Sequence, residues 1–453
     1  MAKIVAFRGL RYNLQKITDP NLVVAPPYDV ITPDLQEDLY RRDPHNMVRL
    51  ILGRINPKDT ESDNRYSRAA DEFDQWLAEG MLVRDAQPSI YLYDQEYPLE
   101  EGEMVVRQGF LALTRLEDFS SGMIKPHEKT LTVAKADRLN LIRACAANLS
   151  PVFTIYSDPC CVLEALTRKE RERAPDLAVA DDDGVRHRLW QVTDPSLIAK
   201  AQCLIENKPL FIADGHHSYE SAIGYRDEMR EKHPDFSGKE LFNYVLMYFS
   251  NMEDKGMRIF PTHRLLCGLE GFDPTALLVG LSEFFHIEQV QIAASSRAGR
   301  RQVREKLKER GRHGHVLAFY CGGDTLHYLE LKDDALMDRF FEEKSPRTLR
   351  TLDVCVLHRL ILEELLHLDP EVQESRAYLK YVRDIDEPFE AVLAGEAQAA
   401  FLMNPPCLSE VRDVANAGEK MPQKSTYFYP KLLSGLVINP IFEGESVDDF
   451  PMC

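Results

Sequence analysis

The sequence predicts a mixed α/β fold, and three observations carry that reading. A short apolar run at 210–213 breaks into a polar turn, Asp214-Gly215-His216-His217, and apolar residues then recur at helical spacing. Two alternating runs at 89–97 and 104–116 flank a glutamate-rich turn, which is a hairpin signal. A second pair of runs, 316–320 and 325–331, meets across Gly322-Gly323.

A chain of 453 residues is long for one ordinary core. We expect an N-terminal α+β segment at 1–120, a central domain at 121–267, and a C-terminal α+β segment at 268–453 whose 421–431 loop closes the site. The apolar fraction of 44% and charged fraction of 28% are those of a globular protein. No run approaches a membrane span, and the first residues lack the layout of a signal peptide, so the expected location is the cytoplasm. Nine cysteines occur without any Cys-x-x-Cys pair, which reads as reduced thiols. A net charge of −18 argues against sequence-independent nucleic-acid binding. The basic stretch 297–312, with Val303 and Leu307 on one side, reads as a helix with a solvated face. No membrane or nucleic-acid partner is expected, and no oligomeric state follows from the sequence.

In chain order, Pro26-Pro27 fixes an extended backbone and presents Tyr28 and Asp29 at a set angle. Helices are expected at 33–42 and 67–79, and the first hairpin follows. After Pro126-His127-Glu128-Lys129-Thr130, a helical stretch carries Lys135, Asp137, Arg138 and Asn140. A strand at 152–156, a helix at 162–173, the run at 210–213 and a helix at 216–232 come next, then a strand at 241–249. Beyond 268, helices are expected at 276–285, 297–309 and 347–368, with the second hairpin and a strand at 399–403 among them.

The corner at 214–217 holds the strongest chemical signal. Asp214 is a good helix N-cap, and Gly215 lets backbone approach a ligand with no Cβ in the way. A strand that feeds a glycine turn and a helix N-terminus makes an anion site, with phosphate its usual occupant. Two adjacent histidines point apart on a helix, so a protein-built transition-metal site is disfavoured. A phosphate with bound Mg²⁺ suits Asp214 better, and an N-capped helix with locally satisfied histidines is the plainer reading.

Glu128 gains weight from its neighbours, since Pro126 restricts the approach and His127 can position or share a proton. A carboxylate beside a phosphate site is what a kinase needs to take a hydroxyl proton. Lys424-Ser425-Thr426 with Lys431 gathers hydroxyl and ammonium donors as an anion-binding loop would, although it lacks Walker A glycines and also fits an ordinary polar loop. Arg11, Tyr28, Asp29 and His263 are candidate substrate contacts. Arg264 suits a bidentate clamp on phosphate or carboxylate, or a structural ion pair.

These motifs, 25–31, 126–130, 213–220, 261–264 and 421–431 with Arg11-Tyr12, resemble in order and spacing a bacterial and archaeal family catalogued as a domain of unknown function. A Pro-His-Glu segment followed farther on by Asp-Gly-His-His also resembles the ParB/sulfiredoxin superfamily. Its members include the ParB CTP-binding domain, sulfiredoxin and free serine kinases. That resemblance implies a ParB/sulfiredoxin-like central domain with family-specific flanks. It also implies a phosphate turn at Asp214, Gly215, His216 and His217, with Glu128 as the base for a serine hydroxyl. Ser218 stands where the superfamily has arginine, so Lys424, Lys431 or Arg264 would have to supply the missing charge. The Gly-Gly-Cys-His nucleophile of sulfiredoxin is absent from this turn.

The expected function is a nucleotide-dependent small-molecule kinase using ATP or ADP, with CTP a third candidate, together with Mg²⁺ and a serine-like acceptor. His127, Asp214 and His217 would join Glu128 in catalysis, and Ser425 and Thr426 would join the phosphate contacts. The alternatives are a nucleotide-binding regulatory module of ParB type and a metal-dependent phosphohydrolase.

Overall fold

Leu210 to Asp214 forms a strand because its short apolar run can be buried on both faces, and helix His216–Lys232 starts two residues after it ends. The computed structural model describes residues 1–99, 102–342, 345–375 and 377–447. The chain gathers into two units, one of Met1–Pro126, Thr130–Arg258 and Pro430–Cys453, the other of His127–Lys129 and Ile259–Tyr429. Among the described residues, no helix is long and apolar enough to cross a membrane. The fold is mixed α/β, as expected.

The first unit is built on a mixed sheet of ten strands. Its main path runs Leu177–Ala180, Arg186–Val192, Ile90–Pro98, Gly109–Arg115, Tyr244–Asn251, Val152–Tyr156, Leu210–Asp214 and Ile124–Lys125. The expected first hairpin lies here, with Ile90–Pro98 antiparallel to Met104–Arg107 and to Gly109–Arg115. Tyr244–Asn251 runs parallel to Val152–Tyr156, whereas Leu210–Asp214 runs antiparallel to it. Helices Pro195–Glu206 and His216–Lys232 bury Ile198, Ala201, Ile205, Tyr219 and Ala222 in the core with Leu92, Phe110 and Phe249. A second cluster gathers Leu10, Val48, Ile51, Phe73 and Trp76 with Leu141 of helix Thr132–Cys145.

The second unit carries an antiparallel sheet of six strands in the order Phe285–Gln291, Thr325–Leu331, Val316–Tyr320, Ala399–Met403, His263–Leu266 and Leu379–Val382. The hairpin across Gly322-Gly323 forms as expected, and both glycines take positive φ, 114° and 64°. Helix Arg297–Arg310 buries Val303 and Leu307 against this sheet's core, where Leu265, Tyr328 and Phe389 also lie.

Several elements depart from expectation. The helix expected at 162–173 breaks at Thr167 into Val162–Leu166 and Arg168–Glu172. The buried Thr167 hydroxyl bonds back to the Leu163 carbonyl at 2.7 Å, beside the Thr167 N–H that reaches the same carbonyl at 2.9 Å, and back-bonding of this kind bends a helix. The strand expected at 241–249 begins as a 3₁₀ turn, Leu241–Asn243, and continues as Tyr244–Asn251. The helix expected at 347–368 becomes Arg347–Arg350, Asp353–Cys355 and a π-helical Val356–Leu365. The break at 351–352 coincides with back-bonding of the Thr351 hydroxyl to the Arg347 carbonyl, at 3.0 Å.

Candidate functional site

Within the first unit, the corner after Leu210–Asp214 is shaped by a bulge. Ile212 pairs with Thr154 and Asp214 with Phe153, so Ala213 is an extra residue that bends the strand just before the turn. Gly215 follows at φ +84°, and a Cβ there would lie 3.3 Å from the Val152 Cα. Gly215 itself is the N-cap of helix His216–Lys232, with no side-chain cap. The cap expected of Asp214 is therefore corrected. Asp214 Oδ1 instead accepts from the Gly215 N–H at 2.8 Å, and its Oδ2 accepts from the Lys431 ammonium.

The first turn of the helix is tied to the segment before Thr132–Cys145. His217 Nε2 accepts from the Leu131 N–H at 2.9 Å, and Glu220 accepts from the Thr130 hydroxyl at 2.9 Å. His216 is buried, and Ser218 is half-buried against a small cavity of about 50 Å³ that Arg138, Ser150 and Ser221 also line. The Arg138 guanidinium stacks 3.9 Å from the Tyr28 ring centre. Burial raises the Tyr28 hydroxyl above its ordinary range against the lowering pull of the Arg138 charge, and the charges of Asp29, Asp137 and Asp214 push it further up. Tyr28, Asp214 and Lys431, far apart in sequence, thus share one neighbourhood, while Asp29 is exposed. Arg11 makes an ion pair with Asp85 at 2.6 Å, and Tyr91 donates to the same carboxylate at 2.7 Å.

Within the second unit, His127 and Glu128 meet the 421–428 segment. His127 is fully buried, with Nε2 2.9 Å from the Thr426 hydroxyl, and its carbonyl accepts from the Met421 N–H at 2.7 Å. Glu128 is half-buried, and its Oε1 accepts from the Thr426 hydroxyl at 3.2 Å and the Thr426 N–H at 3.4 Å. If that hydroxyl donates to Glu128, then His127 donates to it through Nε2–H, a chain of three groups with one consistent proton order. Ser425 is buried and its hydroxyl bonds the Pro422 carbonyl, and Lys424 sits at φ +55°.

Arg264 is buried with its N–H groups turned inward. Nε and one terminal nitrogen reach His358 Nε2 at 3.3 and 3.2 Å, that same nitrogen reaches the Lys424 carbonyl at 3.2 Å, and the other reaches the Thr262 carbonyl and Met403 Sδ. The guanidinium's five donors are thereby occupied inside the unit. Sequence reasoning left open a ligand clamp or an ion pair, and this geometry is neither: Arg264 anchors the backbone of the 421–428 segment. His263 is also buried, with Nδ1 accepting from the Met403 N–H at 3.3 Å. Burial, with the nearby Arg264 charge, brings its pKa down to about 3.

Three partners escaped the sequence reading. Arg107, Gln95 and His358 are buried polar side chains on apolar elements. None carried a clear signal: Gln95 sits between Asp94 and Glu96, and Arg107 ends strand Met104–Arg107 just before Gln108, so each reads as part of a polar stretch. Among the described residues, no group of three or more His, Cys, Asp or Glu is placed to hold a metal ion.

Among solved structures, the chain is similar to a free serine kinase in complex with AMP, at 11% identity and a TM-score of 0.35, over 75% of this chain and 93% of that one. It is similar as well to SbnI with a C-terminal truncation from Staphylococcus aureus, at 13% identity and 0.35, over 75% and 91%. A conserved hypothetical protein from Pyrococcus furiosus gives 13% identity and 0.34, over 75% and 97%. No curated protein matches the sequence. The family match covers residues 4–355, which takes in the 25–31, 126–130, 213–220 and 261–264 segments and leaves 421–431 outside it. The chain belongs to the family DUF1015, described as protein of unknown function.

Proposed function

We propose that this protein is a nucleotide-dependent phosphotransferase acting on a small hydroxyl-bearing acceptor, serine-like by the resemblance to free serine kinases. The observation that supports it most is the corner in the first unit. A bulged strand, a glycine at φ +84°, and the start of a helix of 17 residues come together where Lys431 reaches Asp214. The amides of a helix start and an ammonium are a setting that favours phosphoryl oxygens. In this reading His216, His217 and Ser218 lie along the phosphate path, and Lys431 passes from Asp214 to the phosphate as nucleotide binds. Asp214 could then offer its carboxylate to a magnesium ion brought by the nucleotide, since Mg²⁺ is commonly held by one or two carboxylates plus phosphate oxygens.

Glu128 is proposed as the base that takes the acceptor's hydroxyl proton, oriented by Thr426 and His127. Lys424 and Ser425 would frame that group, and Tyr28, Asp29 and Arg11 remain proposed substrate contacts. The expectation is acceptor-dependent conversion of ATP or ADP. Glu128→Gln should lower turnover by roughly a hundredfold or more and leave nucleotide affinity within about twofold. Coupled-assay kinetics and calorimetric titration read the two quantities separately. Loss of both together would count against the assignment.

A regulatory nucleotide-binding module is the second reading. It is favoured by the Lys431–Asp214 pair, which already balances the corner's carboxylate without a metal. Such a module would bind ATP, ADP or CTP with no dependence on an acceptor.

A further inference from the structure

A row of buried polar side chains crosses the large sheet of the first unit. Strand register places Gln95 opposite both Arg107 and His187, so the three lie side by side on adjacent strands. Each is at most 1% exposed. Burying three such groups costs stability unless each is bonded. Their bonds lead to one place. Arg107 donates to Gln95 Oε1 and, at 2.6 Å, to the Pro430 carbonyl. Gln95 Nε2 donates to the Lys431 carbonyl at 2.7 Å. Tyr93 lies 2.7 Å from His187 Nδ1 and accepts from the Leu433 N–H at 3.3 Å, while His187 Nε2 faces Asp181 at 3.1 Å. Arg107 in turn lies over the Phe153 ring at 4.5 Å, which fixes its plane. The consecutive carbonyls at 430 and 431 are therefore gripped from within the sheet, and Lys431 is the residue whose ammonium reaches Asp214.

We propose that Gln95 and Arg107 are positioning residues for Lys431: they fix its backbone so that its ammonium stands at the Asp214–Gly215 corner, ready to meet a phosphoryl oxygen. The inference rests on the phosphate reading of that corner. It adds that the corner's cation is set by the sheet interior, through hydrogen bonds whose donors never touch the ligand.

A double-mutant cycle between Gln95→Met and Lys431→Met in the full chain tests it. A merely structural glutamine would give losses that add, because it would act on the whole unit. A positioning glutamine acts through Lys431, so its effect should vanish once Lys431 is gone. Gln95→Met alone is expected to weaken ADP binding by roughly three- to tenfold. The same change in the Lys431→Met background is expected to cost less than about twofold. Additive losses overturn the proposal. The cycle is repeated on the unfolding equilibrium in urea, which needs no ligand, with a coupling of at least roughly twofold expected and additivity again overturning it. Wild-type protein that binds neither ADP nor pyrophosphate would defeat the functional reading alone, and the urea cycle would still decide the positioning. Should Gln95→Met fail to fold, Arg107→Lys takes its place in both cycles, with the same expected coupling.

Discussion

Gly215 is where backbone geometry and proposed chemistry coincide most closely. Its φ of +84° is one an L side chain adopts at a cost, and the Val152 Cα stands 3.3 Å from where a Cβ would be. Gly215→Ala is therefore expected to lower stability by about 1–2 kcal/mol, measured by urea unfolding. An unchanged midpoint would mean that the corner relaxes freely. The glycine and the acid of this corner are visible in the sequence, but the use of the acid is not. A residue preceding a helix reads as its cap, and only the structure shows that Gly215 takes that place while Asp214 accepts from Lys431.

At the scale of elements, periodicity located what was strongly patterned. Helices Pro33–Arg42 and His216–Lys232, strand Val152–Tyr156 and both hairpins stand where their apolar spacing placed them. Strands Leu177–Ala180 and Arg186–Val192 were not foreseen, because arginine and histidine interrupt the apolar alternation of the second. Phe285–Gln291 was missed for a similar reason, being a polar edge strand whose partner lies on one side only. Breaks inside helices were equally hidden, since a threonine inside a helical run does not show in sequence that its hydroxyl will back-bond and bend the helix. The break at Thr167 shows this well. It lets Arg171 bond the Thr167 hydroxyl and reach the buried Asp94 at 2.8 Å. Burial raises the Asp94 carboxyl pKa even with that partner present. Arg171→Met should consequently cost about 3 kcal/mol by leaving the carboxylate unpaired. Adding Asp94→Asn should recover most of that loss, as denaturant midpoints would show. A double variant no more stable than the single one would count against the pair as the cause.

For the molecule as a whole, the second unit should lose stability in acid. His263 and His358 are buried in it, and burial, with the Arg264 charge nearby, holds both pKa values down at about 3. Between there and the ordinary value of about 6.5, the unfolded chain takes up protons that the folded unit refuses. Stability conferred by these neutral histidines is thus complete above about pH 6.5 and lost as pH falls toward 3. The slope should approach about 1.4 kcal/mol per pH unit for each histidine. Urea unfolding at a series of pH values would measure it, and His358→Phe should remove about half. A flat profile from pH 7 to about 4.5 would contradict the buried neutral state.

The reading as a phosphotransferase depends on a phosphoryl group sitting at the corner after Asp214. A crystal structure of the ADP complex tests this most directly. The account predicts phosphate oxygens within hydrogen-bond reach of the amides at 215–217 and of the Lys431 ammonium, while ADP bound elsewhere, with Lys431 still on Asp214, would contradict it.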